Sequence, residues 1–168
     1  GAAYCKEAYG LPETVDEVYA QIEAQVRSFY ENEVEAKPGV KNLLSLLKME
    51  GVWMYVATAT DRHLAEEALR HAGIRDCFRG LVTSAETGAG KDVSPEIYER
   101  AMRRLRSNKK DTVIFEDALH AIRTAKAAGF RVAAIYDPSA EEDQAEIRAL
   151  ADYYFRSFEE LSETRALE

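Results

Sequence analysis

The chain has 168 residues, of which 46% are hydrophobic and 31% charged, a composition typical of one globular domain whose core needs no disulfide or metal. The 22 basic and 30 acidic residues give a net charge of −8, which argues against general nucleic-acid or anionic-membrane binding, because both require a basic surface. Two cysteines are too few for a disulfide framework and no apolar run approaches the about 18 residues of a membrane span, so a cytoplasmic protein is expected.

Residues 1–36 are predicted to be helical, because they contain no strand pattern and their apolar side chains recur at helical spacing. One face of the longer predicted helix carries Val15, Val18, Tyr19, Ile22, Val26 and Tyr30. Pro12 lies just before this helix, and Thr14 is expected to cap its first turn. The breaker pair Pro38-Gly39 predicts a boundary between residues 1–36 and a second unit over residues 37–168.

From residue 40 onward, short apolar runs alternate with helical patterns. Strands are predicted over residues 52–57, 81–82, 112–115, 132–136 and 153–155. Helices are predicted up to about residue 51 and over residues 64–72, 95–105, 118–128 and about 140–151. This alternation predicts an α/β fold with a doubly wound parallel sheet, in which ligands bind beyond the carboxyl ends of the strands. Site residues are therefore expected just after each strand.

The first predicted strand is followed by Thr58, Ala59, Thr60 and Asp61. Hydroxyl groups together with the free N–H groups of a helix start can bind an anion, so Thr58 and Ala59 are candidate phosphate-binding residues. The alternative interpretation of this segment is a plain helix cap by Thr60 or Asp61.

The second predicted strand leads to a glycine-containing loop that ends in Lys91. The loop is not a P-loop, because that motif requires glycine at position 85 and serine or threonine at 92, where this chain has Ala85 and Asp92. Lys91 is instead a candidate single cation, carried over the edge of the sheet by a flexible loop. The alternative is a solvated lysine with no role in binding.

The third predicted strand ends at the adjacent carboxylates Glu116 and Asp117. Two buried carboxylates are costly unless they are paired or bind a metal, and Mg²⁺ is commonly held by one or two carboxylates plus a substrate phosphate. The alternative is that Asp117 caps a helix that starts at Ala118. Because Thr58, Lys91 and Asp117 follow three strands of one parallel sheet, they are expected to converge on a pocket for Mg²⁺ and a small phosphorylated metabolite.

These segments resemble the motifs of the haloacid dehalogenase-like hydrolase superfamily, in its phosphatase and β-phosphoglucomutase branch. The sequence at 56–60 resembles the second family motif, in which Thr58 would hydrogen-bond the transferring phosphoryl group. Gly90-Lys91 with Ser94-Pro95 resembles the third, in which Lys91 would neutralise phosphate and nucleophile. The lysine-to-proline spacing is one residue longer here than in the usual version.

The sequence at 114–117 resembles the fourth motif, in which Asp117, with Glu116 beside it, would hold Mg²⁺. The same resemblance implies a Rossmann-like core over residues 37–168 and part of an α-helical cap over residues 1–36. It also implies a Mg²⁺-dependent phosphohydrolase that acts on small phosphate monoesters, with sugar phosphates as one class. A monomer or a weak homodimer is expected.

The first motif of the family, Asp-x-Asp-Gly-Thr, does not occur in this sequence. In the family, this motif ends a central strand and supplies the nucleophile that becomes aspartyl-phosphate, together with the general acid/base. The resemblance therefore implies that about 50 to 60 residues precede the chain, and that their strand lies between those predicted over 52–57 and 112–115. These 168 residues are expected to be inactive without them.

Three alternatives remain open from the sequence. One is a phosphotransferase similar to β-phosphoglucomutase, and another is a non-catalytic module that keeps the Mg²⁺ and phosphate pocket. The third is a different doubly wound protein, such as a receiver-like or flavodoxin-like domain, in which Thr58, Lys91 and Asp117 would not converge.

Overall fold

A computed structural model of the protein describes residues 2–164, which contain nine α-helices and five β-strands. The helices are α1 (Ala2–Tyr9), α2 (Val15–Asn32), α3 (Val40–Met49), α4 (Arg62–His71), α5 (Ser84–Thr87), α6 (Glu96–Arg104), α7 (Leu119–Ala127), α8 (Gln144–Leu150) and α9 (Phe158–Thr164). The strands are β1 (Val56–Thr58), β2 (Leu81–Thr83), β3 (Val113–Glu116), β4 (Arg131–Ile135) and β5 (Tyr153–Phe155). Short 3₁₀ helices cover Arg75–Cys77, Lys109–Asp111 and Pro138–Asp143.

All strand pairs are parallel, but the strands form two separate sheets. One sheet pairs β1 with β2, and the other has the order β3-β4-β5. Within residues 2–164, β1 and β3 form no ladder with each other. They are the two strands between which the sequence predicted an additional strand.

Strand β4 shows that helices cover both faces of the three-stranded sheet. Its residues Val132 and Ala134 belong to a core cluster that includes α6, α7 and α8, whereas Ala133 and Ile135 belong to a second cluster with α3 and α9. Successive side chains of a strand point to opposite faces, so β4 is buried on both. The predicted doubly wound α/β architecture is confirmed.

The first of these core clusters also joins the two sheets. It contains Val82 of β2 and Ile97 of α6, and Ala57 of β1 and Ile114 of β3 pack against it. Helix α6 packs on β1 and β2, while α7 packs on β3 and β4. The two sheets are thus held by a common layer of helices, and this layer brings their carboxyl-end loops into contact.

The amino-terminal segment is helical, as predicted. Thr14 caps α2 in a reciprocal capping box with Glu17. Helix α2 packs on α1 and on α4, and Val18 is buried between these neighbours. Four other residues of the predicted apolar face are 38–55% exposed, namely Val15, Tyr19, Ile22 and Val26, whereas Tyr30 is half-buried. The division of the chain after residue 36 stays a prediction.

Three parts of the core differ from the predictions. The strand predicted over 52–57 is observed only as β1, which pairs with β2 alone among residues 2–164, and Val52 and Trp53 before it are exposed. The guanidinium group of Arg79 covers the Trp53 ring at 3.5 Å. The first four residues of the helix predicted over about 140–151 are 3₁₀, and α9 was not predicted at all.

Gly39, at the start of α3, has a φ of +82°. A Cβ at this position would lie 2.5 Å from the backbone nitrogen of Glu159 in α9. The breaker pair is therefore both a turn and a point where two backbones approach closely.

Among residues 2–164, no helix is long and apolar enough to cross a membrane.

Candidate active site

Thr58 was predicted to follow the first strand but is the last residue of β1, where it lies beside Thr83 of β2 in the parallel register. Its Oγ1 accepts a hydrogen bond of 3.1 Å from the Thr60 N–H. Ala59 is exposed in the turn that follows. Asp61 occupies the N-cap position of α4, but its side chain caps no backbone group in the part of the chain that the structure describes. The polar groups after β1 are therefore not used up by helix capping.

Lys91 lies in a turn that follows a short helix. Helix α5 occupies the first part of this segment and is fixed by a capping box between Thr83 and Glu86. The Gly90 carbonyl then accepts hydrogen bonds from the N–H groups of Val93 at 3.2 Å and Ser94 at 3.1 Å. This turn accommodates the additional residue between the lysine and the proline, and it holds the Lys91 side chain 16% exposed.

Glu116, at the end of β3, is buried with a side-chain exposure of 6%. Its Oε1 accepts hydrogen bonds from the Lys91 ammonium and, at 2.8 Å, from the Tyr98 hydroxyl. Burial, followed by the charge of Glu116, raises the pKa of Tyr98 far above its ordinary value of 10.0, so the phenol stays protonated as a donor. The costly burial of the Glu116 carboxylate is thus compensated by a cation and a neutral donor.

Tyr98 was not predicted as a site residue. It is almost fully buried and also lies under the Lys91 ammonium, which is 5.7 Å from its ring centroid. Its position four residues after Ser94, within the segment that resembles the third motif, is the signal that could have identified it.

Asp117 is 45% exposed and points to a second group of charges. The Lys37 Nζ lies 3.6 Å from its Oδ2 and 2.5 Å from the Oδ2 of Asp137. The N-cap of α7 is Ala118, so the alternative in which Asp117 caps this helix is wrong. Asp117 is therefore a carboxylate at a strand end that is accessible to a ligand.

Lys37 and Asp137 are site neighbours that the sequence analysis missed. Asp137 accepts hydrogen bonds from Lys37, from the Ser139 hydroxyl at 2.6 Å and from the Ser139 N–H at 2.9 Å. These bonds, that of Lys37 above all, hold the pKa of Asp137 well below its ordinary value of 3.8. Asp137 comes shortly after β4, so the strand-end rule could have found it, whereas nothing in the sequence pairs Lys37 with it.

The structure brings Lys91 and Glu116 into contact, and Asp117 directly follows Glu116 in the chain. The charge of Asp117 also acts on the nearby Tyr98 phenol. Within residues 2–164, the hydrogen bond described for Thr58 stays inside its own turn. The convergence of Thr58 and Ala59 with the other residues stays a prediction.

The donor set of this chain fits Mg²⁺ in part. Asp117 offers an accessible carboxylate, which is a preferred ligand of this hard cation, whereas the buried Glu116 is engaged by Lys91 and Tyr98. Residues 2–164 contain no group of three or more His, Cys, Asp or Glu side chains that could hold a metal ion. Asp117 would therefore have to share the ion with ligands from outside these residues, such as a substrate phosphate and water.

Comparison with protein-family models matches residues 3–129 to the haloacid dehalogenase-like hydrolases. A bifunctional riboflavin kinase/FMN phosphatase of Arabidopsis thaliana is 33% identical over 77% of this chain and 34% of that protein. A phosphorylated carbohydrates phosphatase of Thermotoga maritima is 26% identical over 77% of this chain and 59% of its own length. The hexitol phosphatase B of Escherichia coli K12 is 26% identical over 95% of this chain and 70% of that protein.

Solved structures agree with this match. A protein of Thermotoga maritima provisionally named beta-phosphoglucomutase superposes with a TM-score of 0.85 at 25% identity, over 99% of this chain and 77% of that one. CbbY from Rhodobacter sphaeroides in complex with phosphate gives a TM-score of 0.75 at 29% identity, over 90% of this chain and 67% of that one. The chain matches between about one third and three fifths of the length of three curated relatives, which are the riboflavin kinase/FMN phosphatase, the phosphorylated carbohydrates phosphatase and a CbbY protein.

Proposed function

The chain belongs to the haloacid dehalogenase-like hydrolases, and we propose that it forms most of a Mg²⁺-dependent phosphatase acting on small phosphate monoesters. The observation that carries the proposal is the cluster of Lys91, Glu116 and Tyr98 beside the accessible Asp117, at the carboxyl end of β3. The matched relatives named as phosphatases include proteins named for FMN, phosphorylated carbohydrates and hexitols. Their names support phosphorylated sugars and polyols as the substrate class.

Lys91 is the residue to which we assign neutralisation of the phosphate. Its ammonium is bound to Glu116 and its side chain is 16% exposed, so an incoming anion can approach Lys91 without first breaking the pair. Tyr98 fixes the Glu116 carboxylate from the protein interior. A cation held in this way needs little reorganisation when negative charge develops on a phosphoryl group.

Thr58 and Ala59 are the donors that we assign to the phosphoryl oxygens. The Thr58 Oγ1 already accepts from the Thr60 N–H, so its own O–H remains available as a donor. The Ala59 N–H lies in the same exposed turn. Asp117 is the proposed Mg²⁺ ligand, and the bound ion would add positive charge beside the transferring group. Helices α1 and α2 are the proposed cap, which would exclude water from the closed site.

The nucleophile and the general acid/base are proposed to lie on a strand outside these 168 residues. Two observations support this: the sequence contains no Asp-x-Asp, and β1 and β3 form no ladder with each other within residues 2–164. A parallel strand between them would pair both edges, and each buried backbone group left without a partner costs about 1–3 kcal/mol. The carboxyl end of such a strand would place its side chains between Thr58 and Asp117.

The absence of an Asp-x-Asp from the sequence also supports a second candidate, a non-catalytic module that binds phosphate and Mg²⁺. Turnover of p-nitrophenyl phosphate with Mg²⁺, measured for the chain joined to the residues encoded upstream of Gly1, distinguishes the two. A phosphatase hydrolyses the ester and loses activity in Asp117→Asn, because the metal ligand is removed. A binding module is instead stabilised by phosphate and Mg²⁺ without turnover. A phosphotransferase would convert a sugar phosphate into its isomer faster than it releases phosphate.

A further inference from the structure

A cavity of about 420 Å³ lies beside β2, apart from the residues assigned to the active site. It is lined by Tyr55, Arg62, Leu81, Val82, Glu86, Arg100 and Arg104. Small-molecule sites in proteins commonly have volumes of about 300–1,000 Å³, so this cavity is large enough for a small ligand.

The charge of the cavity is opposite to that of the protein. Three guanidinium groups and one carboxylate, that of Glu86, line it, which gives a local charge of +2 in a chain with a net charge of −8. The arginines come from two elements, because Arg62 begins α4 while Arg100 and Arg104 lie one turn apart on α6. A helical pair of like charges at this spacing is destabilising, and an anion bound between the groups would offset the repulsion.

Main-chain carbonyl groups hold two of the three arginines in place. The Arg62 Nη2 donates to the Leu81 carbonyl at 2.8 Å, and its Nε donates to the Glu86 carboxylate at 2.6 Å. The Arg100 Nη1 donates to the Glu86 carbonyl at 2.9 Å. A bond to a neutral carbonyl orients a guanidinium group without compensating its charge, whereas the bond to the Glu86 carboxylate compensates part of the charge of Arg62.

Acidic neighbours outside the cavity compensate part of this charge. Glu66 lies 3.8 Å from Arg62, and Glu96 lies 3.5 Å from Arg100, but neither carboxylate lines the cavity. No carboxylate of residues 2–164 is found within 4.0 Å of the Arg104 guanidinium group. Arg104 is thus the cation of the cavity with most capacity for an external anion.

The cavity is also lined by Tyr55, a half-buried residue with an aromatic ring. This ring lies directly on Gly80, where an added Cβ would be 2.8 Å from it. The glycine therefore permits the ring to pack against the backbone, and the wall combines an apolar surface with the three cations. Such a wall suits a ligand that carries a small organic part beside its anionic group.

We propose that this cavity binds the phosphate group of a small molecule, at a site separate from the active site. Guanidinium groups recognise phosphate through paired N–H donors, and three of them line this cavity. The inference rests on the cavity alone and stands whether or not the protein is a phosphatase.

Isothermal titration calorimetry of the 168-residue chain with pyrophosphate and with a hexose 6-phosphate, in the absence of Mg²⁺, tests the proposal. We expect saturable binding that Arg104→Gln and Arg100→Gln each weaken at least tenfold. Arg103→Gln is the matched control, because Arg103 lies on the same helix, pairs with Glu96 at 2.6 Å and does not line the cavity. It removes the same charge and should change the affinity less than threefold.

Three results would overturn the proposal: no binding of either probe at millimolar concentration, binding that is unchanged in Arg104→Gln and Arg100→Gln, or equal weakening by Arg103→Gln. The last result would indicate general attraction rather than a site. Tighter binding of the hexose 6-phosphate than of pyrophosphate supports a phosphate ester as the ligand and contact with Tyr55. The reverse order supports the proposal with an inorganic polyanion as the ligand.

Discussion

The ammonium group of Lys91 is bound to the carboxylate of Glu116, and this contact connects the carboxyl ends of two different sheets. Lys91 comes after β2, whereas Glu116 ends β3. Since β1 and β3 form no ladder within residues 2–164, the ion pair and the α6 side chain of Tyr98 hold the two carboxyl edges together. The proposed phosphate site is therefore assembled by side chains as well as by the sheets.

Removal of the Tyr98 hydroxyl in Tyr98→Phe should lower the free energy of unfolding by about 2 kcal/mol, because a buried carboxylate loses one of its donors. Urea denaturation measures the change. Tyr136→Phe is the matched control, since the Tyr136 hydroxyl also donates to a carboxylate, that of Glu141 at 2.7 Å, but in an exposed position. It should have little effect. Equal effects of the two variants would show that burial of Glu116 does not matter.

Lys91→Met should destabilise the protein by about 3 kcal/mol, because it leaves the charge of Glu116 buried without its cation. Lys126→Met removes the same group from a more exposed pair with Asp152, at 2.7 Å, and should cost about 0.5 kcal/mol. Thermal and urea unfolding report both values. A Lys91→Met variant that is as stable as Lys126→Met would contradict the described environment of Glu116.

The contribution of Asp137 to the free energy of unfolding should depend on pH. Its pKa is lowered on folding, mainly by the hydrogen bond from Lys37, so its contribution is complete above the ordinary value of 3.8 and is lost as the pH falls below that value. The difference in unfolding free energy between the wild type and Asp137→Asn should therefore shrink between about pH 5 and pH 2. In a Lys37→Met background the same comparison should show much less pH dependence. A difference that stays constant over this range would rule out the assigned pairing.

Gly39→Ala should be more harmful than Gly51→Ala, although both glycines have nearly the same positive φ, +82° and +78°. The backbone strain of about 1 kcal/mol is common to both. An added Cβ meets the Glu159 backbone nitrogen at 2.5 Å only in the first case, while the space around Gly51 is open. Chemical denaturation should show a further loss of about 1–3 kcal/mol for Gly39→Ala. Equal losses would mean that α3 and α9 do not approach at this point.

Local patterns in the sequence were sufficient for the order of the strands and of the helices other than α5 and α9, and for the candidate residues at the strand ends. The alternation after residue 40, the Thr14 cap and the positions of Thr58, Lys91, Glu116 and Asp117 depend on periodicity, capping and motif spacing, all of which are local. These features survive folding because the core stabilises the same helices and strands that the local sequence favours.

Features that depend on partners in three dimensions could not be predicted. Val52 and Trp53 are apolar residues of the kind found in buried strands. They are exposed, and β1, which follows them, pairs only with β2 within residues 2–164. The bond of Lys37 to Asp137 joins residues 100 positions apart. Helix α9 has few apolar positions, and it forms against the sheet where Phe158 stacks on Phe115. Tertiary contacts decide each of these cases.

We propose that these residues provide the phosphate-binding and metal-binding groups of a phosphatase whose nucleophile lies on a strand outside this sequence. The direct test is a chimera in which the segment of the Thermotoga maritima phosphorylated carbohydrates phosphatase that precedes its matched region is fused ahead of Gly1. Hydrolysis of p-nitrophenyl phosphate with Mg²⁺ is measured for the chimera, for the chain alone and for both with Asp117→Asn. Circular dichroism establishes that each protein is folded.

We expect no turnover by the chain alone. We expect the chimera to hydrolyse the ester, with an activity that Asp117→Asn reduces at least a hundredfold. Turnover by the 168 residues alone that depends on Asp117 would contradict this expectation, since the nucleophile would then lie within this sequence. A folded chimera whose activity is unchanged by Asp117→Asn would contradict the assigned role of that carboxylate.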